Sequence, residues 1–208
     1  MNKTIHEKTT FTKVDYSDKN LSGKEIENCI FINCNFTKSD LSNSDFIDCK
    51  FEDCNFSMSK FNNTGLKNVS FVGCKLLGID FSRCKDFLLA FSFEKCTLDY
   101  TVFCMKKIHK TIFKDCSIKE ADFSNTDLTS SSFLNCDLSR TIFQQSILEK
   151  ADFRTAHNYS IDLELNQVKH AKFSSSGVIG LLDKYKIIIE WKNPVHSGEP
   201  GFKKKMSE

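Results

Sequence analysis

The feature that most constrains this chain is a large apolar residue at every fifth position. Between residues 121 and 138 it falls at Phe123, Leu128, Phe133 and Leu138. Neither regular element has that period. A half-buried strand repeats every 2 residues and an amphipathic helix every 3.6. On a helix, residues five apart spiral around the axis and form no stripe. Two positions before each large residue stands a small one: Ala121, Thr126, Ser131 and Cys136. A strict short period of this kind points to a repeat architecture.

The register starts at Phe11 and runs unbroken to Phe81, then misses at Asp86. It resumes two residues late at Phe93 and runs to Phe153. Asn158 misses, and Leu163, Val168 and Phe173 complete the series. Segment 82–92 therefore holds a two-residue insertion, read as a small surface loop or bulge, and 154–162 is a second irregularity. A longer period is superposed. After correction for the insertion, every fourth repeat gives Phe11, Phe31, Phe51, Phe71, Phe93, Phe113, Phe133, Phe153 and Phe173. Another series reads Leu21, Leu41, Phe61, Phe81, Phe103, Phe123, Phe143 and Leu163. Like residues recurring every twenty are expected if successive coils stack side chain on side chain. Both prolines, Pro194 and Pro200, lie in the tail, which suits an uninterrupted hydrogen-bonded ladder.

The unit of Ala, Cys or Ser, then Asp or Asn, then Leu or Phe, then two variable residues resembles the pentapeptide-repeat family over about residues 11–173. The resemblance implies an all-β fold, a right-handed quadrilateral β-helix with four repeats to a coil. At the strand spacing, eight intervals between nine Phe layers make a rod about 38 Å long. Residues 1–10 read as a polar lead-in. Lys19, Lys24 and Lys106 stand where a small inward residue belongs, which implies a loosened first coil and a distorted wall after the insertion. Beyond Phe173, residues 177–185 look like one or two helical turns and Ile187–Trp191 like a short strand. The family often closes its coil and pairs two subunits with such a segment. Residues 174–191 are thus expected to form a cap and a homodimer interface through Leu181, Leu182, Ile187, Ile188, Ile189 and Trp191. The tail 192–208 is expected to be disordered.

Chemistry-bearing motifs are scarce. Of the ten cysteines, all but Cys104 sit two positions before a central slot, and no Cys-x-x-Cys spacing occurs. They read as small, reduced, buried core residues rather than metal ligands. The five histidines are scattered, and no Gly-rich phosphate loop is present. No cofactor, metal or catalytic residue is expected, and the chain reads as no enzyme. Without an apolar leader or a membrane-length apolar run it reads as cytoplasmic, with no membrane partner.

Charge is arranged in blocks. Residues 15–53 are net −5, residues 54–121 net +5 and residues 122–164 net −4. The family resemblance extends distantly to the Qnr quinolone-resistance group, dimeric rods that bind DNA gyrase or topoisomerase IV. That likeness implies a DNA mimic with a type II topoisomerase as protein partner, no direct binding of nucleic acid, and Asp40, Asp45, Asp48, Glu52 and Asp53 standing in for phosphates. Against it, the repeat region 11–173 holds 22 acids and 21 bases. A structural or scaffold protein with an unrelated partner is the alternative. A continuous acidic stripe would favour mimicry, and an alternating surface the scaffold.

Overall fold

A computed structural model describes residues 5–190 of the chain. It is a four-sided β-solenoid. Strands β1 (Ile5–Glu7), β3 (Glu25–Glu27), β5 (Asp45–Ile47) and β7 (Gly65–Lys67) form one parallel sheet. Strands β2 (Thr10–Thr12), β4 (Ile30–Ile32), β6 (Lys50–Glu52), β8 (Val69–Val72), β9 (Phe91–Glu94), β10 (Ile112–Lys114) and β11 (Ser132–Leu134) form the other. The two remaining sides are columns of single parallel bridges, such as Asp15 with Asn35 and Asn20 with Asp40. The sides are named here by their first central residues: Phe11, Tyr16, Leu21 and Ile26. The coil starts earlier than the apolar period does, because β1 lies inside the polar lead-in and pairs with β3.

The period of five follows from backbone geometry. Each repeat is a three-residue extended segment and a corner. The corner residue, two after the central one, lies in the left-handed region: Lys13 at φ 54, Asp18 at 55, Asn28 at 52 and Asn33 at 53. Asn, Asp and Gly tolerate that region best. Other residues hold it because the corner N–H bonds to the next coil, as Lys13 N does to Ile32 O at 2.9 Å and Lys38 N to Ser57 O at 3.0 Å.

The interior is a column of rings. The nine phenylalanines of the Phe11 side stack with centroids 4.8 to 5.4 Å apart. Rings on the Phe11 side meet those of the opposite Leu21 side edge-on, as Phe113 does Phe123 at 5.9 Å. Both geometries suit the ring quadrupole.

The small inward residue does more than leave room. Its side chain donates to the carbonyl of a central residue one coil below. Thr64 Oγ1 donates to Leu41 O at 2.9 Å, Ser131 Oγ to Ile108 O at 3.0 Å and Ser146 Oγ to Phe123 O at 2.8 Å. Cysteine does the same at sulfur distance: Cys54 to Phe31 O, Cys74 to Phe51 O and Cys96 to Phe71 O, each 3.4 Å. Cys34, Cys54, Cys74, Cys96, Cys116 and Cys136 thus occupy one continuous inward column across the insertion. Nine cysteines are buried, Cys104 is partly exposed, and all ten are free thiols.

Two expectations need correction. Leu163 is 42 % exposed, while Tyr159 and Ile161 are buried in its place. The chain tightens after Ala156, so the core takes the residue two earlier. Residues 187–190 form no strand; the segment closes instead with a helix, α1 (Ile179–Leu182), and a single tighter turn over Asp183–Tyr185. Helix α1 lies across Tyr159, and Ile161 N bonds to Gly180 O at 3.0 Å. A Cβ at Gly180 would collide with the Tyr159 carbonyl oxygen, so this crossing requires glycine.

Candidate partner-binding surface

With the interior filled, the accessible side chains are those flanking each central residue and those at the corners. The five acids singled out above occupy such slots in one coil. Asp40 lies on the Leu21 side, bridged to Asn20 and Lys60. Its Oδ1 accepts the Ser42 N–H at 3.0 Å, and hydrogen bonds from the Ser42 side chain and backbone hold its pKa below the usual value. Asp48 and Asp53 are corner residues at φ 52 and 51. Asp48 accepts from Asn68 Nδ2 at 2.6 Å. Glu52, on the Phe11 side, pairs with Lys50 at 2.5 Å.

Asp45 does not face water. It is buried on the Ile26 side, with Lys85 Nζ 2.9 and 3.0 Å from its two carboxylate oxygens and Lys67 Nζ 3.8 Å away. Gly65 makes the room: a Cβ there would strike the Asp45 carboxylate, and the Lys85 stem lies over it. The five acids therefore girdle the rod within a single coil. They do not run along it. Down the Leu21 side the outward column reads Asn20, Asp40, Lys60, then Asp80, Val102, Asp122. Acids alternate there with a base and an apolar residue.

The insertion is a tight turn over residues 86–89. Leu89 N bonds back to Asp86 O at 3.3 Å, and Ala90 N returns to the ladder at Leu66 O, 2.9 Å. Leu88 takes the left-handed conformation at φ 56. The register survives, since Phe71 pairs with Phe93. Lys106, in its inward slot, supports the turn. Its Nζ donates to Cys84 O at 2.7 Å, the carbonyl of the inward residue one coil below where Ser and Thr hydroxyls reach that of a central residue, and to Asp86 Oδ1 at 2.7 Å. Its side chain is only 7 % exposed.

At the C-terminal end, Leu181 packs against the core and Leu182 is half-buried. Ile187, Ile188 and Ile189 are exposed, Ile188 by 89 %. Trp191 and the tail 192–208 lie outside the described residues. A cleft of about 860 Å³ opens beside α1, lined by Arg140, His157, Tyr159 and Asp183 among others. Arg140 is paired with Glu120, and Asp183 accepts from the Ser160 hydroxyl in the same cleft wall. The buried Tyr159 hydroxyl has no hydrogen-bond partner among the described residues.

Burial pushes Cys49 up to about 11, and burial, opposed by the Lys106 charge, pushes Cys84 up to about 12. Among the described residues, no group of three or more His, Cys, Asp or Glu is placed to hold a metal ion, and no helix is long and apolar enough to cross a membrane.

Two descriptions of the repeat cover this geometry. The pentapeptide repeat region matches residues 4–81, 24–103 and 44–121, and the eight-copy pentapeptide repeat matches 121–157. The chain belongs to the pentapeptide-repeat family. No curated protein matches its sequence. Among solved structures, its fold is similar to that of trypsin-treated QnrB1, described as a plasmid-mediated fluoroquinolone resistance protein. The TM-score is 0.60 at 18 % identity, over 90 % of this chain and 92 % of that one. Full-length QnrB1 gives 0.57 at 17 % identity, over 88 % of this chain and 100 % of that one. HetL, a pentapeptide-repeat protein of the cyanobacterium Nostoc, gives 0.42 at 11 % identity over 81 % and 87 %.

Proposed function

We propose that this pentapeptide-repeat protein is a non-enzymatic rod that binds a protein partner through its outer faces. The carrying observation is that stacked rings fill the interior, so recognition falls to the flanking and corner side chains. The partner put first is a type II topoisomerase, DNA gyrase or topoisomerase IV, with a reduced effect of quinolones as the outcome. The likeness in fold to a fluoroquinolone-resistance protein, over nearly the whole of both chains, supports that choice. Mimicry of a duplex draws no support from Asp40, Asp45, Asp48, Glu52 and Asp53, which circle one coil and include a buried, lysine-paired member.

A scaffold protein with an unrelated partner is the second reading, and the alternating charge down the Leu21 side favours it. A homodimer through Leu181, Leu182, Ile187, Ile188, Ile189 and Trp191 belongs to either reading. Supercoiling by purified gyrase, with and without ciprofloxacin, separates the two. Restored supercoiling in the presence of drug supports the topoisomerase reading. No binding, inhibition or protection at micromolar rod rejects it and leaves the scaffold.

A further inference from the structure

Nineteen phenylalanines fall within the described residues, and Phe87 is the one among them classed as exposed, at 71 %. Leu88 beside it is exposed by 64 %. A ring and an isobutyl group at the tip of a turn find no cover among the described residues. The turn is nonetheless held in place. Lys106 grips Asp86 from inside, Leu89 packs against the core, and Lys67 Nζ lies 5.7 Å from the centre of the Phe87 ring.

The surroundings are basic. Lys67 and Lys85 share Asp45, while Lys107 and Lys110, one coil further along the same side, are exposed and form no ion pair among the described residues. His109, between them, pairs with Asp127 at 2.7 Å. The Ile26 side thus carries a preset apolar knob next to two uncommitted ammonium groups. A few buried anchor side chains dominate protein interfaces, and complementary charge around them steers encounter and excludes wrong partners.

We infer that the turn 86–89 is a docking knob: Phe87 and Leu88 enter an apolar socket on a protein partner whose rim carboxylates meet Lys107 and Lys110. The inference rests on the reading of the rod as a protein binder, but not on the partner being a topoisomerase. The test uses the full chain and a fluorescent amphipathic helical peptide of Glu and Leu, followed by anisotropy. Its controls are the Lys and Leu counterpart and a duplex DNA of equal charge. Saturable binding of the acidic peptide is expected. It should weaken about tenfold or more in Phe87→Ser, the size expected of a central contact residue. Lys107→Glu with Lys110→Glu should weaken it too and flatten its salt dependence. Lys75→Glu, on the Tyr16 side, should not. Phe87 is exposed, so its variant should keep the wild-type melting temperature.

Equal binding by Phe87→Ser, stronger binding of the DNA, or no binding of the acidic peptide at millimolar concentration would each overturn the knob. A rod that binds the peptide through Phe87 but leaves gyrase untouched keeps the knob and loses the topoisomerase reading.

Discussion

Removing one ring from the middle of the column should cost far more than removing one from its open end. Phe123 is fully buried. It stacks on Phe103 at 4.8 Å and Phe143 at 5.4 Å, and meets Phe113 and Phe133 edge-on at 5.9 and 6.0 Å. Phe→Ala in a core costs about 3–5 kcal/mol, depending on how far the site collapses. Collapse is blocked here, because both neighbouring coils are pinned by the ladder: Phe123 N bonds to Ile142 O at 2.9 Å and Asp122 N to Thr101 O at 2.9 Å. Phe123→Ala should therefore fall near the upper limit, about 5 kcal/mol. Phe123→Leu keeps most of the volume and should cost about 1–2 kcal/mol. Phe11 is half-buried, with Phe31 stacked on it at 4.8 Å, and Phe11→Ala should cost less than half as much as Phe123→Ala. Urea unfolding followed by circular dichroism measures all three. A fall in the denaturant slope for Phe123→Ala would show the rod unfolding in two parts, as nearest-neighbour coupling allows. A cost below about 2 kcal/mol at unchanged slope would mean that the walls close on the gap, and would refute the reasoning.

Three further outcomes follow from the same structure. In native protein, Cys104 should react with a thiol reagent first and the nine buried cysteines only after denaturation. Because burial raises Cys49 to about 11 and Cys104 to about 11, these thiols stay protonated at neutral pH and should gain reactivity only as pH rises toward that value. Rapid native labelling of most of the ten would contradict this. Lys106→Met keeps the stem but strips Cys84 O and Asp86 of their ammonium partner. It should lower stability by about 1–3 kcal/mol and speed proteolysis at 86–89, whereas an unchanged cleavage rate would mean that the turn holds itself. Sedimentation should show a dimer that Leu182→Asp with Ile188→Asp dissociates; a wild-type monomer at micromolar concentration ends the dimer proposal.

The ladder was legible because each repeat makes the same demand on its central residue, and a demand made thirty times over survives single exceptions. Contacts made once were not legible. The exchange of Leu163 for Ile161 depends on a local tightening after Ala156, and no pattern of spacing encodes it. Ile187–Ile189 has the composition of a strand but pairs with none among the described residues, so propensity alone does not decide its structure. The acids misled for a geometric reason. Fourteen residues are close in sequence, yet in a coil of twenty they span most of a circumference. Lys106 looked like a misfit because the inward slot was read as a volume. It is also a hydrogen-bond donor's slot, and a lysine can fill that role. The signal for the knob was present: in Asp86-Phe87-Leu88-Leu89, three apolar residues follow a missed slot with no ladder to serve.

The register across the insertion has a consequence for how such a chain can change length. Phe71 still pairs with Phe93 because the two extra residues spill outward into a turn and rotate nothing. An insertion of five residues has no such escape. It would turn everything after it by a quarter, so that Lys107 and Phe133 would each pass to a neighbouring side while the core stayed satisfied. A duplication of twenty would restore every side to its direction and lengthen the rod by one layer, about 4.8 Å. The coil, not the repeat, is therefore the unit in which this lineage can grow without scrambling its surface. Shorter insertions and deletions persist only where a corner can carry them into solvent.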